Sequence, residues 1–161
     1  MSASILGFQA PLLRGIADQL GLKPISEIAR LPGVNEVYRV TVHYFDGRAC
    51  NSVGTLRVSP TAGIILEMVY QRALASKPIA HSIERARCEE FAQAVKGIRF
   101  DRLPDQPNLP AYNSTDLWLV ERAAGTFYHS VILAPQLAMD AYGRVANAVR
   151  HGLPESLRIV K

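Results

Sequence analysis

The sequence predicts a single α+β domain: an antiparallel sheet covered by helices, in the element order α-βββ-α-ββ-α. Three observations carry this. Glu36 to Val58 holds two alternating strand patterns around Asp46-Gly47, other stretches repeat apolar residues at helical spacing, and strand runs are grouped apart from helix runs.

The N-terminal part, 1–34, reads as a helical cover for the sheet. Pro11 suits a first helical position, Leu12, Leu13, Ile16 and Leu20 recur at helical spacing, and Gly21 follows as a stop. A further turn or two, Ile25 to Leu31, ends before Pro32-Gly33. From Val37 to Phe45, the apolar Tyr38, Val40, Val42 and Tyr44 alternate with Val37, Arg39, Thr41 and His43, which predicts a strand with one apolar and one polar face. The return strand is Arg48 to Val58. A two-residue turn at Asp46-Gly47 sets Phe45 opposite Arg48, Tyr44 opposite Ala49 and His43 opposite Cys50, whereas a three-residue loop shifts every pair.

Ser59 to Gly63 is a turn cluster, after which Ile64 to Tyr70 reads as a third strand, although Leu66 to Ala75 also fits a helix. Ser82 then caps a helix from Ile83 to about Lys96. Its stripe of Cys88, Phe91, Ala92 and Val95 faces inward, and Gly97 stops it. Residues 101–115 carry Pro104, Pro107 and Pro110 and read as an extended surface loop. A second strand pair, Asp116 to Arg122 and Phe127 to Leu133, turns around Ala123 to Thr126. Pro135 opens a last helix with Ala138, Tyr142, Val145 and Val149 inward, closed by Gly152 and Pro154. This element order is similar to that of the small chaperones that accompany bacterial secreted effectors. The resemblance is one of architecture, carried by no sequence motif, and this chain is basic where those are typically acidic.

At 161 residues, 48% hydrophobic and 20% charged, the chain 1–161 fits one globular domain with a real core. No apolar run approaches the ~18 residues of a membrane span. Residues 2–22 include Arg14 and Asp18 and lack the basic start and unbroken apolar run of a secretory signal, so a cytoplasmic location is expected. Two cysteines, Cys50 and Cys88, are too few for a disulfide scaffold. The formal net charge is +4, with 14 arginines and 4 lysines.

There is no phosphate loop, dinucleotide fingerprint or nucleophile elbow, and His43, His81, His129 and His151 lack metal-ligand spacing, so neither cofactor nor metal is expected. Glu84, Glu89 and Glu90 interleave with Arg85 and Arg87 as a solvent-facing ion-pair surface. Asp116 and Glu121 fall on opposite faces of one strand, which argues against a carboxylate pair. Cys88, Trp118, Phe127 and Tyr128 read as core.

Three functional classes remain. In the favoured one the domain is a non-enzymatic protein-binding module, an accessory, chaperone-like or toxin-neutralising factor that offers a sheet face, strand edge or loop, with Arg39, Arg48 and Tyr112 as contacts. The second is a small thiol-dependent enzyme in which His43 withdraws the Cys50 proton. The third binds nucleic acid through Arg39, Arg48 and Arg57, with Tyr38 and Tyr44 nearby. Another protein is thus the expected partner, nucleic acid ranks behind it, and apolar edge strands also allow pairing between copies of the chain.

Overall fold

A computed structural model describes residues 8–72 and 77–157. Residues 1–7 of the N-terminal cover, and the end of the alternative helix through Ala75, lie outside that range. The described residues form one α+β domain built on a six-stranded antiparallel sheet. In chain order the elements are α1 (Gln9–Gln19), α2 (Ile25–Ile28), β1 (Glu36–His43), β2 (Ser52–Ser59), β3 (Gly63–Tyr70), β4 (Ile79–Ser82), α3 (Arg85–Gly97), β5 (Leu117–Ala124), β6 (Phe127–Leu133) and α4 (Asp140–Gly152). Short 3-10 turns occupy Phe100–Arg102, Pro135–Leu137 and Pro154–Leu157.

The sheet order is β4-β3-β2-β1-β5-β6, so β1 sits inside the sheet between its own hairpin partner and the first strand of the second hairpin. Residues alternate between two faces, and each face meets helices. On one side Tyr38, Val40, Val42, Leu56, Leu66 and Trp118 pack with Phe91 and Val95 of α3 and Val145 and Val149 of α4. On the other, Leu13 and Ile16 of α1 lie against Val53, Leu117, Leu119 and Ile132, while Ile25 and Ala29 cover Val37 and Ala123.

The expectation of one polar sheet face is therefore corrected. Thr41 is fully buried and Arg39 is 3% exposed, both on the α1 side. The reason lies in the partner strands. Leu117-Trp118-Leu119-Val120 is apolar at every position, the pattern of a strand buried on both sides, and it gives α1 an apolar seat that β1 alone does not advertise.

The first hairpin also departs from its expected register. Val42 pairs with Ser52 and Glu36 with Val58, one step away from the pairing set by a two-residue turn, and residues 44–51 form an eight-residue connection. The ladder is released because side chains replace its bonds: the Tyr44 amide donates to Asn51 Oδ1, the Phe45 amide to Asp116 Oδ1 and the Arg48 amide to Asp46 Oδ1. The second hairpin turns within Ala123 to Thr126 as expected, with Ala124 opposite Phe127 and Gly125 at φ 57, but Phe127 and Tyr128, expected in the core, are exposed because they begin the edge strand β6.

Other boundaries shift. Ser82, expected to cap a helix, closes the additional strand β4, and α3 begins at Arg85 behind Glu84. With four residues, β4 is too short to display a legible alternation. Helix α1 begins at Gln9 rather than Pro11, α4 begins at Asp140 after the Pro135–Leu137 turn, and Gly97 is the last residue of α3 rather than its stop.

The α3–α4 contact depends on Gly152, where an added Cβ would lie 2.6 Å from Phe91 Cδ1 and 2.8 Å from Phe91 Cβ. The second distance cannot be relieved by rotating the ring. Gly152→Ala should lower the unfolding free energy by about 1–3 kcal/mol through overpacking. Gly15→Ala, on α1 with nothing within 4 Å of the new methyl, should raise it by about 0.5–1 kcal/mol through helix propensity. Urea titration of both variants checks the pair, and equal effects would contradict the packing described.

Candidate functional site

The residues singled out by sequence fall into separate environments. His43, at the end of β1, bonds through Nε2 to the Tyr112 carbonyl at 2.9 Å, while its Nδ1 is buried without a partner. Cys50 lies in the connection after β1, packed at the rim of the core beneath α3 and α4, and lines a cavity of about 580 Å³ with Tyr44, Arg48, Asn51 and Gln71. No histidine lines that cavity, and His43 has no bond to Cys50. A thiolate generated by a neighbouring imidazole needs that contact.

Arg39 is held inside. Its Nε donates to Thr55 Oγ1 at 2.9 Å, one Nη donates to the Lys23 carbonyl at 2.9 Å, and it stands opposite Glu121 in the β1–β5 ladder. Glu121 accepts from the Tyr128 hydroxyl at 2.6 Å, and Arg14 of α1 approaches at 3.8 Å. Burial pulls the Arg39 guanidinium down from its usual value and pushes the Glu121 carboxyl up from 4.5, each against the attraction of the other's charge. These groups form a polar layer beneath the helices rather than a surface.

Arg48 is paired as firmly, at the edge of solvent. Its guanidinium spans both oxygens of Asp116, donates to Asp46 Oδ1 at 2.7 Å, and lies 4.9 Å from the Tyr44 ring centre. The two carboxylates hold its proton more tightly than in a free arginine. Asp116 is 4% exposed and also accepts from the Phe45 amide at 3.2 Å and from Gln136 Nε2 at 3.0 Å. It thus ties together the β1–β2 connection, the start of β5 and the 3-10 turn before α4. The sequence did not mark Asp116 for this role, and its three sources of donors are distant along the chain. Arg39 and Arg48 both being committed to internal partners, with Tyr38 buried at 2% exposure, the first hairpin presents no array of free cations beside aromatics.

Tyr112 is 38% exposed on the Pro-rich loop, its ring tilted against His43 at 6.3 Å. That loop is anchored closely. Asp105 Oδ1 accepts from the Ile132 amide at 2.8 Å, Gln106 Oε1 from the Ala134 amide at 2.9 Å, and the Gln106 amide donates to the Ile132 carbonyl at 2.9 Å. The side chains of Asp105 and Gln106 stand in for a neighbouring strand along the C-terminal half of β6.

The opposite edge is covered by none of the described residues. β4 pairs only with β3, Ile79 is 46% exposed, and only His81 of its four residues is part-buried. The Ile83 amide donates to the Ile64 carbonyl, so by the alternation of an antiparallel ladder Ala80 and Ser82 turn their backbone groups outward. Among the described residues nothing bonds to that outer side. Nor do three His, Cys, Asp or Glu side chains gather as a metal site among them, and no described helix is long and apolar enough to cross a membrane.

Asp116→Ala strands several donors and should cost about 2–4 kcal/mol, whereas Arg48→Ala leaves Asp116 bonded to the Phe45 amide and Gln136 and should cost about 1 kcal/mol; urea titration that reverses this order would contradict the central role of Asp116. Because the folded carboxyl of Glu121 is raised, the folded state holds its proton longer than the unfolded chain, and stability falls as pH climbs from the usual 4.5 through the folded value. The wild-type protein should therefore lose stability relative to Glu121→Gln over that climb; a difference that is flat, or grows in favour of wild type, contradicts the burial described.

Neither the protein-family models nor the curated proteins compared with this chain match it.

Proposed function

We propose that the domain is a non-enzymatic protein-binding module, of an accessory, chaperone-like or toxin-neutralising kind, that accepts an extended segment of a partner protein as an added strand on β4. The observation that carries this is the difference between the two sheet edges: the C-terminal half of β6 is capped by Asp105 and Gln106, while among the described residues nothing bonds to the outer side of β4. With helices on both sheet faces, an edge is the main-chain surface left to read. Ala80 and Ser82 each offer an N–H and a carbonyl to an incoming strand, and the exposed Ile79 supplies an apolar contact beside them. Pro78 bounds the edge on its N-terminal side and limits unspecific pairing. The same reading keeps the chain in the cytoplasm with its two thiols reduced.

Ala80→Pro removes an outward N–H and leaves the β3–β4 ladder intact, since edge strands tolerate proline on their solvent side. Tagged wild-type protein, Ala80→Pro and Tyr112→Ala, each with its fold checked by circular dichroism, are compared in affinity capture from native lysate. The expected result is one stoichiometric protein retained by wild type and by Tyr112→Ala and reduced at least about tenfold by Ala80→Pro, the loss of one or two main-chain bonds and the shape of the edge. Retention by Ala80→Pro together with loss in Tyr112→Ala moves the interface to the loop and overturns the edge reading.

A further inference from the structure

After α3 the chain turns through Arg99 at φ 60 and ψ 44, a left-handed conformation natural to glycine and unfavourable for a residue with a Cβ. Gly97 stands two positions earlier, inside the helix, where its freedom is unused. An arginine at the position that favours glycine is explained if its side chain has a task there.

Arg99 lines a cavity of about 640 Å³ at this end of the domain, within the ~300–1,000 Å³ typical of small-molecule sites. Four cations and two carboxylates line it, a net of two positive charges. Both carboxylates are taken by one cation: Arg122 donates to Glu36 Oε2 at 2.9 Å and to Asp101 Oδ2 at 2.8 Å. The side chains of Lys96, Arg99 and Arg102 have no hydrogen bond or ion pair among the described residues. Tyr38, Val95 and Phe100 supply an apolar floor. The α3 C-terminus carries a partial negative charge, but its Ala94 and Lys96 carbonyls are already bonded to the Ile98 and Arg99 amides, and three whole cations outweigh it.

We propose that this cavity binds a phosphate-bearing small molecule, with the phosphates on Lys96, Arg99 and Arg102 and the organic part against the apolar floor. A phosphate brings up to two charges and three acceptor oxygens to three unpaired cations, where a carboxylate brings one charge and two oxygens. The site is independent of the β4 edge and of the binding reading built on it.

Calorimetric titration with ATP, inorganic pyrophosphate, citrate and a single-stranded oligonucleotide tests this at low and physiological salt, on wild type, Arg99→Gly and Arg102→Ala. Saturable 1:1 binding of ATP is expected, weakened at least about tenfold in either variant by loss of a charge-assisted bond. Arg99→Gly should at the same time unfold at higher urea than wild type, because glycine relieves the left-handed turn; an arginine of purely structural use gives no loss of binding. Weaker binding of pyrophosphate than of ATP shows that the floor reads the organic part, whereas pyrophosphate as tight as ATP keeps the three cations as the phosphate site and overturns the role of the floor. The proposal is overturned by absent saturation with both phosphates at millimolar concentration, by equal binding of citrate, by unchanged affinity in Arg99→Gly, or by tighter, salt-sensitive binding of the oligonucleotide.

Discussion

The pairing of β1 with β5 is the constraint on which the rest of the structure depends. Seven consecutive residue pairs, Val37 with Ala123 through His43 with Leu117, join two local hairpins into one sheet and move β1 from an edge to the interior. An interior strand is bonded on both sides and, here, packed on both faces. Burial on two faces turns Arg39 and Thr41 from candidate surface into interior. It also gives Arg39 its counter-charge, since Glu121 arrives on β5 directly opposite. A buried cation so far from water is tolerable only with such a partner and with hydrogen bonds to its nitrogens.

Closing both faces leaves the perimeter as the place where the sheet's main chain is open. At one side the Pro-rich loop folds back, and Asp105 and Gln106 occupy the outward groups of β6. At the other, β4 is four residues of open ladder. At the end of the sheet where β1 leaves its ladder, Asp116 gathers donors from the β1–β2 connection and from the 3-10 turn before α4. The end beyond α3 holds the cation-lined cavity.

Much of this was legible in local pattern. Alternation in the first strand, the stripe Cys88-Phe91-Ala92-Val95 and the glycine in the β5–β6 turn each report an element whose cause lies within a few residues. The unread parts have distant causes. The first hairpin's register depends on Asp116, far along the chain, whose oxygens take the Phe45 amide and Arg48 out of the ladder. The helical spacing of Leu13 and Ile16 announces an amphipathic helix without naming Leu117, Leu119 and Ile132 as its seat. Neither the burial of Arg39 nor the openness of β4 has a local signature, because each is set by sheet order. The left-handed turn at Arg99 is likewise invisible in a sequence that offers Gly97 as the nearer stop.

Residue-resolved hydrogen exchange on the intact native protein tests the sheet order and its open edge together. Amides of β1 and β5, Val40 and Val120 among them, should exchange only through global unfolding, while those of Ala80 and Ser82 should exchange near the rate of an unstructured peptide. Protection of Ala80 and Ser82, or exchange of the β1 amides through a smaller opening than the rest of the sheet, would contradict an interior β1 and an uncovered β4.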